Sequence, residues 1–334
     1  MSLRVLIFLV LPMLVLSAVP YSDAMAGTRP GTLLKDNRLQ VDGLNRTYDL
    51  YLPPATASTP HPLVLLLHGH LGDADVMTGE NGKKAPYKIW LDIADRENLV
   101  IAIPDGTIGP DGHTGWNDCR KDATTNPTVD DIGFIRQLLD KIQSTYNIDK
   151  NRIYVSGTSN GGNMTLRVAL ELSDRITAAA PVVSAMPKAN ACKLPEHPVS
   201  ILFMNGTADP LVPYTGGRVG KSDKDGRGIM LSTRESVNWW IRHDGTKTVP
   251  VSYDFPDLMR RDRSTVHREI YSGGRDGTEV VLYEVRGGGH TEPSIRERYS
   301  RMYKWIVGKQ NGDIEMADEI WSFFKTKHKT IPAR

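Results

Sequence analysis

The chain has 334 residues, 40% of them hydrophobic, with 41 Lys and Arg against 39 Asp and Glu for a formal charge of +2. That apolar fraction supports a large core and excludes general disorder. The near-neutral balance offers no strong field to recruit nucleic acid, and two cysteines exclude a disulfide-dense scaffold or a four-cysteine zinc site.

Arg4 precedes an apolar run from Val5 to Val19, and Ala24-Met25-Ala26 supplies a small-x-small cleavage site. This layout predicts a secretory signal peptide over residues 1–26. The run falls short of the roughly 20 apolar residues that a membrane span needs. The expected mature chain starts at residue 27, is secreted or periplasmic, and has no membrane segment. Export would put Cys119 and Cys192 in an oxidising compartment, where one disulfide can form. Two free buried thiols fit nearly as well, because sequence does not supply the geometry of a bridge.

Next comes an alternation of strands and helices. Tyr48–Leu52 alternates before Pro53-Pro54, and Pro62–Leu67 is a continuous apolar run, as in a strand covered on both faces. Ile89–Arg96 reads as a helix and Leu99–Ile103 as a strand, followed by a long Gly- and Pro-rich loop. Asp130 or Asp131 caps a helix carrying Ile132, Ile135, Leu138, Leu139 and Ile142. Arg152–Val155 is a strand and Asn163–Leu172 a helix; Ala178–Val183 and Val199–Phe203 are strands. Gly216–Gly228 reads as a surface loop. Ser232 to Glu235 is a capping box opening a helix through Ile241. Glu279–Val285 is a late strand and Ile314–Phe324 the last helix. The pattern predicts an α/β fold with a mainly parallel central sheet and helices on both faces. No linker divides residues 27–334, so one catalytic domain is expected there.

The chemistry starts at Gly157-Thr158-Ser159-Asn160-Gly161, a Gly-x-Ser-x-Gly turn between a strand and a helix. Such a turn lifts a serine hydroxyl above the sheet at a helix N-terminus. The hydroxyl needs a base, and the base an orienting carboxylate, in the order Ser, acid, His. His290 closes Gly287-Gly288-Gly289 just after an apolar strand, where α/β sites place their chemistry. Asp209 follows the Val199–Phe203 strand; Asp276 and Glu284 are the alternative acids. An oxyanion hole would use the N–H of Asn160 and that of His70, after Leu67-His68-Gly69. A metal reading of His68 and His70 lacks a third ligand.

These segments resemble the esterase/polyhydroxybutyrate-depolymerase family of α/β-hydrolases, which includes feruloyl and acetylxylan esterases. The resemblance rests on Leu67-His68-Gly69, Pro104-Asp105-Gly106, Trp116-Asn117, Val129 to Phe134, Gly157 to Gly162, Gly206 to Tyr214, Gly287 to Thr291 and Ile320 to Phe324. It implies a serine ester hydrolase with nucleophile Ser159, acid Asp209, base His290, an oxyanion position at His70, and Trp116 and Asn117 near the substrate pocket. It implies soluble or oligomeric esters as substrate, with no cofactor, metal, nucleic acid or membrane partner. Family members often carry Trp-Pro-Gly after His-Thr; here Glu292-Pro293-Ser294 stands instead. The following Arg296–Trp305 stretch reads as a solvated surface helix in preference to a lid. A serine peptidase or acyltransferase on the same fold, or a non-catalytic hydrolase-like binding protein, stays open.

Overall fold

The computed structural model describes residues 30–54, 59–82 and 85–329; the expected signal peptide lies outside the described residues. Ten strands form one sheet: β1 (Thr32–Val41), β2 (Leu44–Leu52), β3 (His61–Leu67), β4 (Val100–Pro104), β5 (Ile148–Thr158), β6 (Ala178–Val182), β7 (Ser200–Gly206), β8 (Val251–Asp254), β9 (Thr265–Tyr271) and β10 (Val280–Arg286). Their order is β1-β2-β4-β3-β5-β6-β7-β10-β9-β8. The six central strands, β4 to β10, are mutually parallel. Each edge is finished by antiparallel strands.

The helices are α1 (Ala74–Thr78), α2 (Ile89–Glu97), α3 (Asp131–Thr145), α4 (Asn160–Glu171), α5 (Thr233–Asp244), α6 (Arg301–Val307) and α7 (Met316–Phe324). Successive side chains of a strand point to opposite faces, so each central strand feeds two cores. Leu63, Leu65, Val155 and Phe203 pack with Phe134 and Leu138 of α3, Met164 of α4 and Trp240 of α5. Val64, Leu66, Tyr154 and Leu202 pack with Trp90 of α2 and Ile320 and Phe324 of α7. This two-sided covering is why the central strands read as unbroken apolar runs.

Local signals settle the helix starts. Asp130 caps α3, its carboxylate accepting the Gly133 N–H at 2.9 Å. Asp131 does not; it is buried against Arg46 at 2.7 Å and accepts the Asn117 N–H at 2.7 Å. The Ser232–Glu235 capping box forms in both directions. Helix α4 starts at Asn160, three residues before the expected Asn163, because Gly161 and Gly162 lie inside it. The edge strands β1, β8 and β9 were not among the expected elements.

Cys119 and Cys192 form a disulfide, with Cα atoms 5.1 Å apart across a sequence separation of 73. A loop of that length gives about 4 kcal/mol by chain-entropy bookkeeping. We expect Cys119→Ser/Cys192→Ser to lower the unfolding free energy by an amount of that order in urea titration. A double variant as stable as wild type would show that the bridge contributes little.

Candidate active site

Ser159 sits at the turn from β5 into α4 with φ 55° and ψ −118°, a left-handed conformation for a residue with a Cβ. Such a conformation costs of the order of 1–3 kcal/mol and persists only where the surroundings enforce it. Its N–H donates to the Val182 carbonyl at 3.0 Å, and its carbonyl accepts the Asn163 N–H at 2.9 Å. The flanking glycines are required by close approach. A Cβ on Gly161 would lie 2.2 Å from the Leu67 carbonyl oxygen, and one on Gly157 would lie 2.5 Å from the Gly161 carbonyl oxygen.

The parallel pairing of β7 and β10 sets Val285 opposite Gly206, so both strands end at one level. The loops beyond them are stitched together. Ala208 N–H donates to the Gly288 carbonyl at 2.9 Å, and Gly287 N–H to the Thr207 hydroxyl at 2.8 Å. This brings Asp209 Oδ2 to 2.7 Å from His290 Nδ1. The other carboxylate oxygen accepts the N–H groups of Leu211 and Val212 at 2.8 and 2.9 Å. Asp209 and His290 are both buried. Burial pushes the His290 imidazole down, but the charge and hydrogen bond of Asp209, with the charge of Glu292, outweigh it, and the net direction is up from the ordinary value. The other acids lie elsewhere: Glu284 accepts the Tyr214 phenol, and Asp276 occupies an unburied turn.

Ser159 and His290 make no hydrogen bond with each other in this structure, and the Ser159 hydroxyl has no partner among the described residues. Their neighbours are joined. The Thr158 hydroxyl donates to Glu292 Oε1, linking the residue before Ser159 to the second residue after His290.

The loop after β3 lies against this turn, with a Cβ on Gly69 falling 3.5 Å from that of Ser159. The N–H groups of His70 and Asn160 have no acceptor among the described residues, while the next N–H, of Leu71, donates to Thr114. Both imidazoles of this loop are otherwise occupied. His68 is fully buried; its Nδ1 faces the Gly69 carbonyl at 2.7 Å and its Nε2 accepts the Gly106 N–H at 2.9 Å. Burial pushes it down and keeps it neutral. His70 Nδ1 faces Arg227 at 3.2 Å. A guanidinium can only donate, so Nδ1 accepts and Nε2–H donates to Asp111 at 2.7 Å. Burial, then the Arg227 charge, push this imidazole down.

Trp116 corrects one expectation. Its indole is fully buried and its Nε1–H donates to the His68 carbonyl at 2.9 Å. It therefore braces the loop from beneath and presents no surface to a substrate. Asn117 also serves the scaffold, its amide donating to the Val129 carbonyl at 2.8 Å. The Asn160 side chain ties α4 to the same segment, accepting the Trp116 N–H at 2.8 Å and donating to Asp118 at 2.7 Å. Asp118 is held by Arg120 in a buried pair at 2.6 Å. Sequence reasoning missed this network and the Arg227–His70 contact; Asn160 and Asp118 lie 42 positions apart and His70 and Arg227 lie 157 apart.

The Arg296–Trp305 stretch leads into α6, capped by Ser300. It exposes Met302 and Trp305 to solvent. The His290 loop hangs on the exit of α6, with His290 N–H donating to Val307 at 2.6 Å and Gly289 N–H to Lys309 at 2.8 Å.

Residues 46–190 match the family model described as Esterase PHB depolymerase. A protein of Nocardia uniformis subsp. tsuyamanensis named as an esterase, NocK, is 29% identical over 85% of this chain and 80% of its own. Feruloyl esterase B of Piromyces equi is 29% identical over 71% of this chain; the chain spans only 41% of that protein. Among solved structures, an acetyl xylan esterase from Aspergillus awamori superposes with a TM-score of 0.53 over 82% of this chain and 98% of that one, at 14% identity. Sheet order and structural neighbours define an α/β-hydrolase, and the relatives make it a carboxylic ester hydrolase. The similarity to the esterase/PHB-depolymerase family lies in residues 46–190, which carry β2 to β6 and the Ser159 turn.

Proposed function

We propose that this chain is an exported serine esterase whose residues from 27 onward form one catalytic domain with nucleophile Ser159, base His290 and acid Asp209. The observation that supports this best is the 2.7 Å Asp209–His290 hydrogen bond at the strand ends, beside a serine held at φ 55°. Catalytic hydrogen bonds are often long in substrate-free enzymes and tighten on binding, so the open Ser159–His290 step agrees with this reading.

Ser159 attacks the ester carbonyl as His290 takes its proton. The free N–H groups of His70 and Asn160 receive the oxyanion. Asp209 fixes the Nδ1–H tautomer and stabilises the imidazolium, which then protonates the leaving alcohol. Water attacks the acyl-enzyme with His290 as base and releases the acid. No cofactor enters these steps. The names of the family and relatives point to feruloyl or other aryl esters, acetyl esters, or short 3-hydroxybutyrate oligomers as substrates. The disulfide favours an oxidising compartment and agrees with export of a chain starting at residue 27.

A fluorophosphonate probe is expected to label Ser159 stoichiometrically, read by peptide mass spectrometry. An unlabelled Ser159 in folded protein would favour a non-catalytic binding role instead. Product analysis with an added alcohol or amine separates hydrolysis from acyl transfer, since the acyl acceptor is not written into the three residues.

A further inference from the structure

Glu292 stands two residues after His290 and is buried, with 6% of its surface exposed. Both carboxylate oxygens are engaged. Oε1 accepts the Thr158 hydroxyl and Oε2 accepts the Tyr299 phenol at 2.6 Å. Its main-chain carbonyl accepts Gln310 Nε2 at 3.0 Å. Gln310 in turn holds the Glu297 carbonyl at 2.9 Å and the Tyr299 N–H at 2.8 Å. Three pieces of chain thus meet at one carboxylate: the residue before the nucleophile, the histidine loop, and the 297–310 strap.

What sets this carboxylate apart is its set of partners. Its side-chain donors are two neutral hydroxyls, and among the described residues no Arg or Lys pairs with it. A buried anion without a cation is costly. Tyr87, Tyr299 and Tyr303 face it, and each phenol is pushed up first by burial and then by the Glu292 charge. His290, two residues away and also buried, feels the Glu292 charge together with those of Asp209 and Arg227.

We propose that Glu292 is a positioning residue that supplies a second anion to the His290 imidazolium while clamping the histidine loop to the nucleophile strand. This rests on the reading of His290 as the base. Two functions sit in one side chain, and substitutions separate them. Glu292→Gln keeps the shape and can still bond both hydroxyls, but it removes the charge. Thr158→Val keeps the charge and removes one arm of the clamp.

The test is a titration of His290 by imidazole NMR, with the pH profile of kcat/KM on a p-nitrophenyl ester measured alongside. In Glu292→Gln the His290 midpoint is expected to move to lower pH, the acid limb to follow it, and kcat to fall several-fold. In Thr158→Val the midpoint should stay and kcat fall. Glu292→Asp should retain the wild-type midpoint. An unmoved midpoint in Glu292→Gln overturns the proposal, as does an equal shift in Thr158→Val. If Glu292→Gln does not fold, Glu292→Met, equally uncharged and of similar length, takes its place, and an unmoved His290 midpoint there overturns the proposal. The NMR titration needs no turnover, so it gives its answer even if His290 is not the catalytic base.

Discussion

Ser159→Ala is expected to leave the fold intact and reduce kcat on short p-nitrophenyl esters by on the order of a millionfold, the scale seen when a triad nucleophile is removed. The turn at Ser159 is imposed by its surroundings. The Ser159 N–H is held by Val182, and Gly157 and Gly161 allow backbone contacts that no Cβ would permit. Alanine has the same Cβ and the same steric limits at φ 55°, so it meets no new backbone clash. The hydroxyl has no hydrogen bond to lose among the described residues. Thermal melting should therefore stay close to wild type while turnover collapses. The N–H groups of His70 and Asn160 would still polarise the ester, which leaves a residual rate above that in water. Substantial turnover by folded Ser159→Ala would sink the assignment of the nucleophile, and with it the acyl-enzyme mechanism.

The parts of this molecule legible in its sequence are those where a local pattern and a tertiary demand coincide. β3 and β7 are covered on both faces, so each carries an unbroken apolar run, residues 63–67 and 201–204. The Ser232 capping box is complete within four residues. Ser159, Asp209 and His290 each follow a central parallel strand, which puts chemistry where the sheet ends. The edge strands are the reverse case. All four residues of β8 are exposed, so no apolar pattern marks it. β9 is only partly buried and carries charges paired across the surface, such as Glu269 with Arg234. Trp116 misled because a motif records residue type and not burial. The Glu292 clamp was half legible: its closeness to His290 is local, but Thr158 lies 134 positions away. Nothing in either segment alone announces the contact.

Asp209→Asn is the second large effect, expected at about ten-thousandfold in kcat, as for other triads in which the acid becomes an amide. The direction follows from the hydrogen bonds. Oδ1 accepts two backbone N–H groups, from Leu211 and Val212, and Oδ2 faces His290 Nδ1. An asparagine must keep its carbonyl oxygen on the two N–H donors, because turning its NH2 toward them would set donor against donor. The NH2 is then forced toward His290. It can only donate, so Nδ1 becomes the acceptor and the ring proton moves to Nε2. That nitrogen is the one that must take the Ser159 proton, and a protonated Nε2 cannot act as a base. The shape is preserved, so the protein should fold and KM should change little while kcat falls. The buried anion beside the imidazolium is also gone, leaving Glu292 alone to favour the charged ring. Asp276→Asn, in its unburied turn, should leave kcat unchanged. If Asp276→Asn abolished activity and Asp209→Asn did not, the acid would have to be reassigned despite the 2.7 Å contact.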